Sequence, residues 1–309
     1  MSRIMVILNP IAGRGYAARI APLVVQHFAA LGADFDLVET TARGEAIDLT
    51  HRAMDDGYDT LVAVGGDGTS HEMVNAMMTH TDERPVGKLG CIPAGSGNDF
   101  AIMNGAPENL AQACRAIVEG QTRRIDVAKV TIDNGPVQYF GNTLGIGFDG
   151  LVNRGCLEYK RLRGLALYLP VVLKTVFVDM QASEVEITYD GNTIRRKVLM
   201  TVICNGPREG AAFRVAPDAR TDDGLLDIII AGDMSRLKIL SMIPRFMKGT
   251  HLSDESIESY RARHVIVASE GPLYLHMDGE IVCDFAHRVE ARVIPGCLEV
   301  ITSEKSASA

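Results

Sequence analysis

The sequence predicts a wound, parallel α/β domain followed by a mostly antiparallel β-sandwich domain. Three observations carry that expectation. Short apolar strand segments alternate with helix-period segments over the first ~125 residues. After Asp126 the pattern changes to closely spaced strand-like segments. The chain has 309 residues, 47% of them apolar, enough to build two buried cores. The expected domains are 1–126 and 127–309, with a hinge near 123–130.

Residues 3–8 read as a buried strand, short, apolar and ended by Asn9-Pro10. A Gly-containing loop follows, then a helix pattern over 16–31. Residues 34–39 read as a second strand and 46–56 as a helix ended by Gly57. Residues 60–64 form a third strand, ahead of Gly65-Gly66-Asp67-Gly68-Thr69 and a helix over 70–78. Residues 88–92 form a fourth strand, followed by a loop over 93–99 and a helix over 110–119. In the second half, 127–132, 137–144, 184–189, 193–204, 225–230, 264–268 and 273–277 are strand-like. Two helical segments, 162–178 and 235–247, interrupt them.

The net charge is −8 with no basic excess, which argues against nucleic acid as a partner. The six cysteines form no CxxC pair and no zinc-type spacing with histidine. Reduced, mostly buried thiols of a cytosolic protein are the expectation. The N-terminus runs straight into a strand-like segment with no signal-peptide pattern. No apolar stretch approaches the ~20 residues of a spanning helix.

Wound parallel sheets hold ligands at the carboxyl ends of their strands. Three polar, Gly-rich loops fall at those ends: 9–15, 65–69 and 95–99. The second joins a strand to a helix N-terminus, where unpaired amides and the positive end of the helix dipole attract phosphate. Glycine there lets the backbone approach without a Cβ in the way. The third carries Ser96 and Asn98 for nucleotide contact and Asp99 for Mg²⁺ or its water shell, unless it is simply a helix-capping turn. The first loop also matches GxGxxA over residues 13–18, with Glu39 closing the second strand, a dinucleotide fingerprint. That match leaves the other two loops unexplained, and no GxxxxGK[ST] is present.

Taken together, Asn9-Pro10-Ile11-Ala12-Gly13-Arg14-Gly15, Gly65-Gly66-Asp67-Gly68-Thr69-Ser70-His71-Glu72 and Gly95-Ser96-Gly97-Asn98-Asp99-Phe100-Ala101 resemble the diacylglycerol kinase catalytic family. The likeness is to its soluble bacterial lipid-kinase branch, itself similar to sphingosine kinases. It continues through Gly145–Asp149, Asp222-Asp223-Gly224-Leu225 and Met277-Asp278-Gly279-Glu280, and so covers nearly the whole chain. The resemblance implies an active site in a cleft between the two domains, with ATP and Mg²⁺ as cofactors. ATP would meet Asn9, Thr40, Gly65, Gly66, Asp67, Gly68, Thr69, Ser70, His71, Ser96 and Asn98. Thr41 is the neighbouring alternative to Thr40. His71 stands where the family often has Asn, and Ser96 where it often has Thr.

Phosphoryl transfer asks for positioning and charge neutralisation. Asp67, Asp99 and Asp126 are the carboxylates available to surround Mg²⁺, and a surface salt bridge is the plainer role for Asp126. By resemblance Asp278 is the base for the lipid hydroxyl, with Glu280 second, while a plain Asp-Gly hairpin turn would also explain the motif. The resemblance also implies a structural Mg²⁺ on the Asp223 carboxylate and the Arg220 and Leu225 carbonyls.

Two helical segments suit a lipid surface. Residues 165–173 are apolar and flanked by Lys160, Arg161, Arg163 and Lys174. The other carries Leu237, Leu240, Ile243 and Met247 with Arg236, Lys238, Arg245 and Lys248. Either could equally cover the second domain's core. The reading is an ATP- and Mg²⁺-dependent kinase of a diacylglycerol- or sphingoid-like hydroxyl, cytoplasmic and peripheral at the inner membrane surface. Exposed strand edges leave room for a homodimer. The alternatives are a soluble-metabolite kinase of the NAD kinase type and a non-catalytic nucleotide or lipid binder.

Overall fold

The computed structural model describes residues 2–80, 87–156, 164–179, 182–283 and 285–303. The chain divides into two units, Met1–Asp126 with Gly296–Ala309, and Val127–Pro295.

The first unit runs β1 (Arg3–Leu8), α1 (Ala12–Ala30), β2 (Asp34–Glu39), α2 (Glu45–Asp55), β3 (Thr60–Gly65), α3 (Asp67–His80), β4 (Lys88–Pro93), α4 (Asp99–Met103) and α5 (Leu110–Glu119). β5 (Thr122–Ile132) then leads into the second unit. The sheet is parallel in the order β4-β3-β1-β2. Every residue of β3 is buried, as a strand covered on both faces requires. Val6, Val62, Val64 and Ile92 pack with Val24 and Phe28 of α1 and Ile117 of α5. The register sets Leu8 beside Glu39 and Val64, and Gly65 beside Pro93. The strand ends therefore finish along one edge, and their loops share it.

Gly13, Arg14 and Gly15 have positive φ (55°, 56° and 79°), so regular helix begins only at Tyr16. α4 was not legible, because its five residues are too short for periodicity. Residues from Gly296 lie with the first unit, although the sequence suggested 127–309 as one domain. Glu299 and Val300 pair with Lys88 and Leu89. Asp126 Oδ1 accepts the Gly296 N–H at 2.7 Å.

The second unit is an antiparallel β-sandwich with helical cover. It contains β6 (Gln138–Phe140), β7 (Thr143–Gly147), α6 (Phe148–Cys156), α7 (Gly164–Lys174), β8 (Ser183–Tyr189), β9 (Asn192–Cys204), β10 (Leu226–Gly232), α8 (Arg236–Lys248), β11 (Ile257–Ala262), β12 (His264–Leu273), β13 (Leu275–Met277) and β14 (Ala286–Ile301). Strands run in the order β11-β10-β9-β8-β12-β14, and β7 pairs with both β9 and β13. Phe140, Leu144, Ile187, Ile203, Ile228 and Val267 are at the centre of its core. A second cluster joins Val152 of α6, Val171 and Val172 of α7, Leu199 of β9 and Ile239 of α8.

α8 turns a different face inward from the one its sequence offered. Ile239, Met242 and Phe246 are buried, while Leu237 is 78% exposed. Both stripes have helical spacing, and packing on the sheet decides between them. Lys238 and Arg245 of α8 both pair with Asp254, Lys238 at 2.6 Å, so these two cations are engaged within the protein. Lys160, Arg161 and Arg163 lie outside the described residues, as do the side chains of 164–168. Among the described residues, no helix is long and apolar enough to cross a membrane.

Phe28 is fully buried, with its ring 5.2 Å from that of Phe35. Phe28→Ala is expected to destabilise the first unit by about 3–5 kcal/mol, read from urea unfolding followed by circular dichroism.

Candidate active site

The three loops of the first unit come together through close backbone contact. A Cβ at Gly95 would lie 2.4 Å from Gly66 Cα, and one at Gly13 would lie 2.2 Å from the Ala94 carbonyl oxygen. Asn9 Nδ2 donates to Thr69 Oγ1 at 3.2 Å, tying the first loop to the second. The Asn98 side chain closes the third loop on itself, accepting from Gly95 N–H at 2.7 Å and donating to Gly95 O at 3.2 Å. Thr69 and Ser70 are buried, with Ser70 Oγ 3.8 Å from Cys91 Sγ. Their side chains shape the loop, and the surface they leave is backbone at the start of α3. Ser96 is exposed, and His71 Nε2 lies 3.3 Å from Asn75 Nδ2 on its own helix.

Glu72 accepts the Gly44 N–H at 2.9 Å and the Ala46 N–H at 3.3 Å, which fastens the segment after β2 to α3. Within that segment the Thr41 hydroxyl donates to Glu45 at 2.8 Å. Thr40 is buried, and its N–H bonds to Leu8 O at 2.9 Å.

Asp67 Oδ1 accepts the Phe100 N–H at 2.9 Å, so the second loop caps the short helix after the third. Its other oxygen and Asp99 converge on Gly97. A Cβ there would lie 2.7 Å from Asp67 Oδ2 and 3.5 Å from Asp99 Oδ2. Two carboxylates facing a space without a side chain fit a hydrated hard cation. Asp126 is 1% exposed and its Oδ1 accepts the Gly296 N–H, so a surface salt bridge is not its role. Asp223 is engaged by two neighbours. Its oxygens take the Leu225 N–H at 3.1 Å and the Arg261 guanidinium, which also lies 3.4 Å from Asp227. The Arg220 guanidinium is 3.2 Å from Asp222.

In the second unit, Asp278 and Gly279 form the two-residue turn of a hairpin, with positive φ at both (51° and 82°). Met277 and Glu280 close it through paired backbone bonds of 2.9 and 2.7 Å. Positive φ is costly for a non-glycine residue, and Asp278 is held there from outside. Its carboxylate accepts the N–H groups of Gly141 (3.1 Å), Asn142 (2.9 Å) and Thr143 (3.1 Å), and its own N–H bonds to Thr143 O at 2.8 Å. Glu280, half-buried, stands two residues away on the returning strand.

The same unit holds an apolar cavity walled by Phe148, Val152, Val172, Leu199, Ile239 and Met242 among others. Among the described residues, its charged lining residues are Asp149 and Glu209. Both carboxylates lie 3.0 Å from His276 Nε2, and His276 is fully buried. Burial lowers the pKa of this ring, but the two carboxylates outweigh it and raise it well above the ordinary histidine value. The three side chains have the donor types of a metal site, with ligand atoms within 4.8 Å of one another. However, His276 Nδ1 accepts the Gly279 N–H at 3.2 Å. A metal on Nε2 would need the ring proton on Nδ1, pointing at that amide. Sequence reading missed Glu209 and His276, which fall in no recognised motif, and gave Asp149 no role. The cavity was equally invisible, since its walls come from segments scattered between 148 and 246.

Two family models match the chain. The diacylglycerol kinase catalytic domain covers residues 3–130, and the YegS C-terminal NAD kinase beta sandwich-like domain covers 142–302. The chain belongs to the diacylglycerol kinase catalytic family. It is 31% identical over 283 residues to the diacylglycerol kinase of Bacillus subtilis, spanning 91% of this chain and 90% of that protein. It is 29% identical to the diacylglycerol kinase of Mycobacterium tuberculosis, over 97% and 95% of the two chains. A crystal structure from Bacillus anthracis, described as a candidate diacylglycerol kinase, superposes with a TM-score of 0.80 at 25% identity over 99% of both chains. Membership of the family makes the chain a phosphotransferase.

In this family member the Gly66–Gly95 contact is a structural hinge-pin of the candidate site. Gly95→Ala is expected to force the third loop off the second. The result would be faster hydrogen exchange at Ala94 and Phe100, whose amides bond to Gly65 O and Asp67, with β3 protection unchanged.

Proposed function

We propose that the protein transfers the γ-phosphoryl group of ATP to the hydroxyl of a lipid of the diacylglycerol class. The observation that carries the lipid half of this reading is the apolar cavity, lined by acyl-compatible side chains with an acidic end. The nucleotide half is supported by the three joined loops and by the family. A soluble metabolite would have no use for such a cavity.

Backbone amides at the start of α3 and in the loops after β1 and β4 cradle the phosphates. Thr40 is the better nucleotide contact of its pair, because the Thr41 hydroxyl is given to Glu45. Asp67 and Asp99 would hold Mg²⁺, which would supply charge neutralisation to the phosphates. The lipid oxygen attacks the γ-phosphorus, the bond from that phosphorus to the β,γ-bridging oxygen breaks, and ADP leaves. The hydroxyl proton passes to a carboxylate of the second unit, for which Asp278 is the candidate and Glu280 the alternative. The bonds from Gly141, Asn142 and Thr143 fix the Asp278 carboxylate in one place, which suits an acceptor that must meet a reacting hydroxyl. Exposed Phe177, Val178 and Leu237 flank the helices over the cavity and suit contact with a lipid surface.

Transfer of labelled phosphate from Mg·ATP to diacylglycerol, monoacylglycerol, phosphatidylglycerol, ceramide and sphingosine in mixed micelles tests the reading. A labelled lipid supports it, and label on none of them, with ATP bound, removes it. Asp67→Ala and Asp278→Asn are each expected to lower kcat by at least about 100-fold, with the second still binding ATP. Loss in Glu280→Gln with normal turnover in Asp278→Asn would move the proton acceptor to Glu280. Ile243→Trp, which narrows the cavity, is expected to raise KM for long-chain lipid about tenfold while leaving ATP affinity unchanged.

A further inference from the structure

His276 lies on β13, two residues before Asp278, and its ring nitrogens face different partners. Nδ1 takes the Gly279 N–H at 3.2 Å. Nε2 lies 3.0 Å from Asp149 Oδ2 and 3.0 Å from Glu209 Oε1. With Nδ1 an acceptor, the proton of the neutral ring is on Nε2 and is shared by the two carboxylates. One buried ring thus joins the acidic end of the cavity to the turn that carries Asp278.

The surroundings are built for this ring. Its cross-strand partner on β7 is Gly145. A Cβ there would lie 2.1 Å from Asp149 Oδ2 and 2.3 Å from His276 Nε2, so only glycine leaves room for the hydrogen bond. Asp149 comes from α6 and Glu209 from the connection between β9 and β10. Neutral Asn153 of α6 donates to Glu209 at 3.4 Å. The charged groups acting on the ring are Glu209 and Asp149.

We propose that His276 is a positioning residue for the acceptor-side carboxylate: its neutral ring holds Gly279, and hence the Asp278 turn, in register with Asp149 and Glu209 at the cavity wall. The kinetic consequence rests on the lipid-kinase reading, whereas the contact itself does not. A second proton would sit on Nδ1 and oppose the Gly279 N–H, so protonation releases the turn. The carboxylates favour that proton, which gives two opposite pH effects. Their attraction stabilises the fold at low pH, fully below the unfolded pKa, and is lost as pH rises through the raised folded pKa. The hold on Gly279 needs the neutral ring and is gained over that same rise.

Two variants separate the contacts. In His276→Asn the amide oxygen takes the place of Nδ1 and does not titrate. In His276→Gln the amide reaches toward the carboxylates and leaves Gly279 unmatched. Phosphoryl transfer to diacylglycerol in mixed micelles is measured against pH, beside nitrogen NMR of the His276 ring and the Gly279 amide in the wild type. The wild type is expected to gain kcat, with little change in lipid KM, as the ring loses its proton. The Asn variant should lose that ionisation and stay within about threefold of the wild-type plateau, and the Gln variant should lose about 10- to 100-fold in kcat. At alkaline pH the ring should be the Nε2–H tautomer, with a hydrogen-bonded Gly279 amide. Equal losses in the two variants, or an Nδ1–H tautomer, would overturn the proposal. If the wild type phosphorylates no lipid, the functional reading fails alone, and the ring tautomer still decides the role of His276.

Discussion

The close passage of Gly66 and Gly95 is the constraint on which the first unit's site depends. A Cβ at Gly95 would lie 2.4 Å from Gly66 Cα and one at Gly66 3.0 Å from Gly95 Cα, so each backbone crowds the space the other's side chain would need. That approach is possible only because β3 and β4 are paired in register, with Gly65 beside Pro93. It lets Asp67 cap the segment that begins at Asp99, and it turns both carboxylates toward Gly97. The backbone of these loops is thereby held by buried side chains, Thr69 and Ser70 among them.

The second unit uses the reverse arrangement. There a carboxylate, Asp278, is the fixed object, and backbone amides from 141–143 hold it in a conformation a non-glycine residue avoids. The hairpin and its function are therefore one structure: an Asp-Gly turn is present, and its aspartate is clamped. His276 extends the clamp to Asp149 and Glu209, which, among the described residues, are the charged lining of an otherwise apolar cavity. Helices α6, α7 and α8 close over that cavity with their valine, isoleucine, methionine and phenylalanine faces.

Helix and strand positions were largely legible because local periodicity and turn residues determine them. β1, β2 and α5 match the sequence limits, and β3 and β4 agree within a residue. The loops were legible for a similar reason: glycine and proline fall where strands of a parallel sheet must end. β14 was not, because Pro295-Gly296 interrupts it and reads as a turn. Segment 137–144 was read as one strand but is two, separated where the chain bends to meet Asp278.

The sequence by itself determined the two-part architecture, the three loops at the strand ends and the family. Each of these rests on short-range patterns, where neighbouring residues share one element. The tertiary structure decided which face of α8 is buried, that Asp223 meets Arg261, that Asp126 holds Gly296, and that Asp149 and Glu209 both meet His276. The partners in these contacts lie far apart in sequence, apart from the face of α8. Their pairing follows from strand order and helix packing, and no local pattern encodes it.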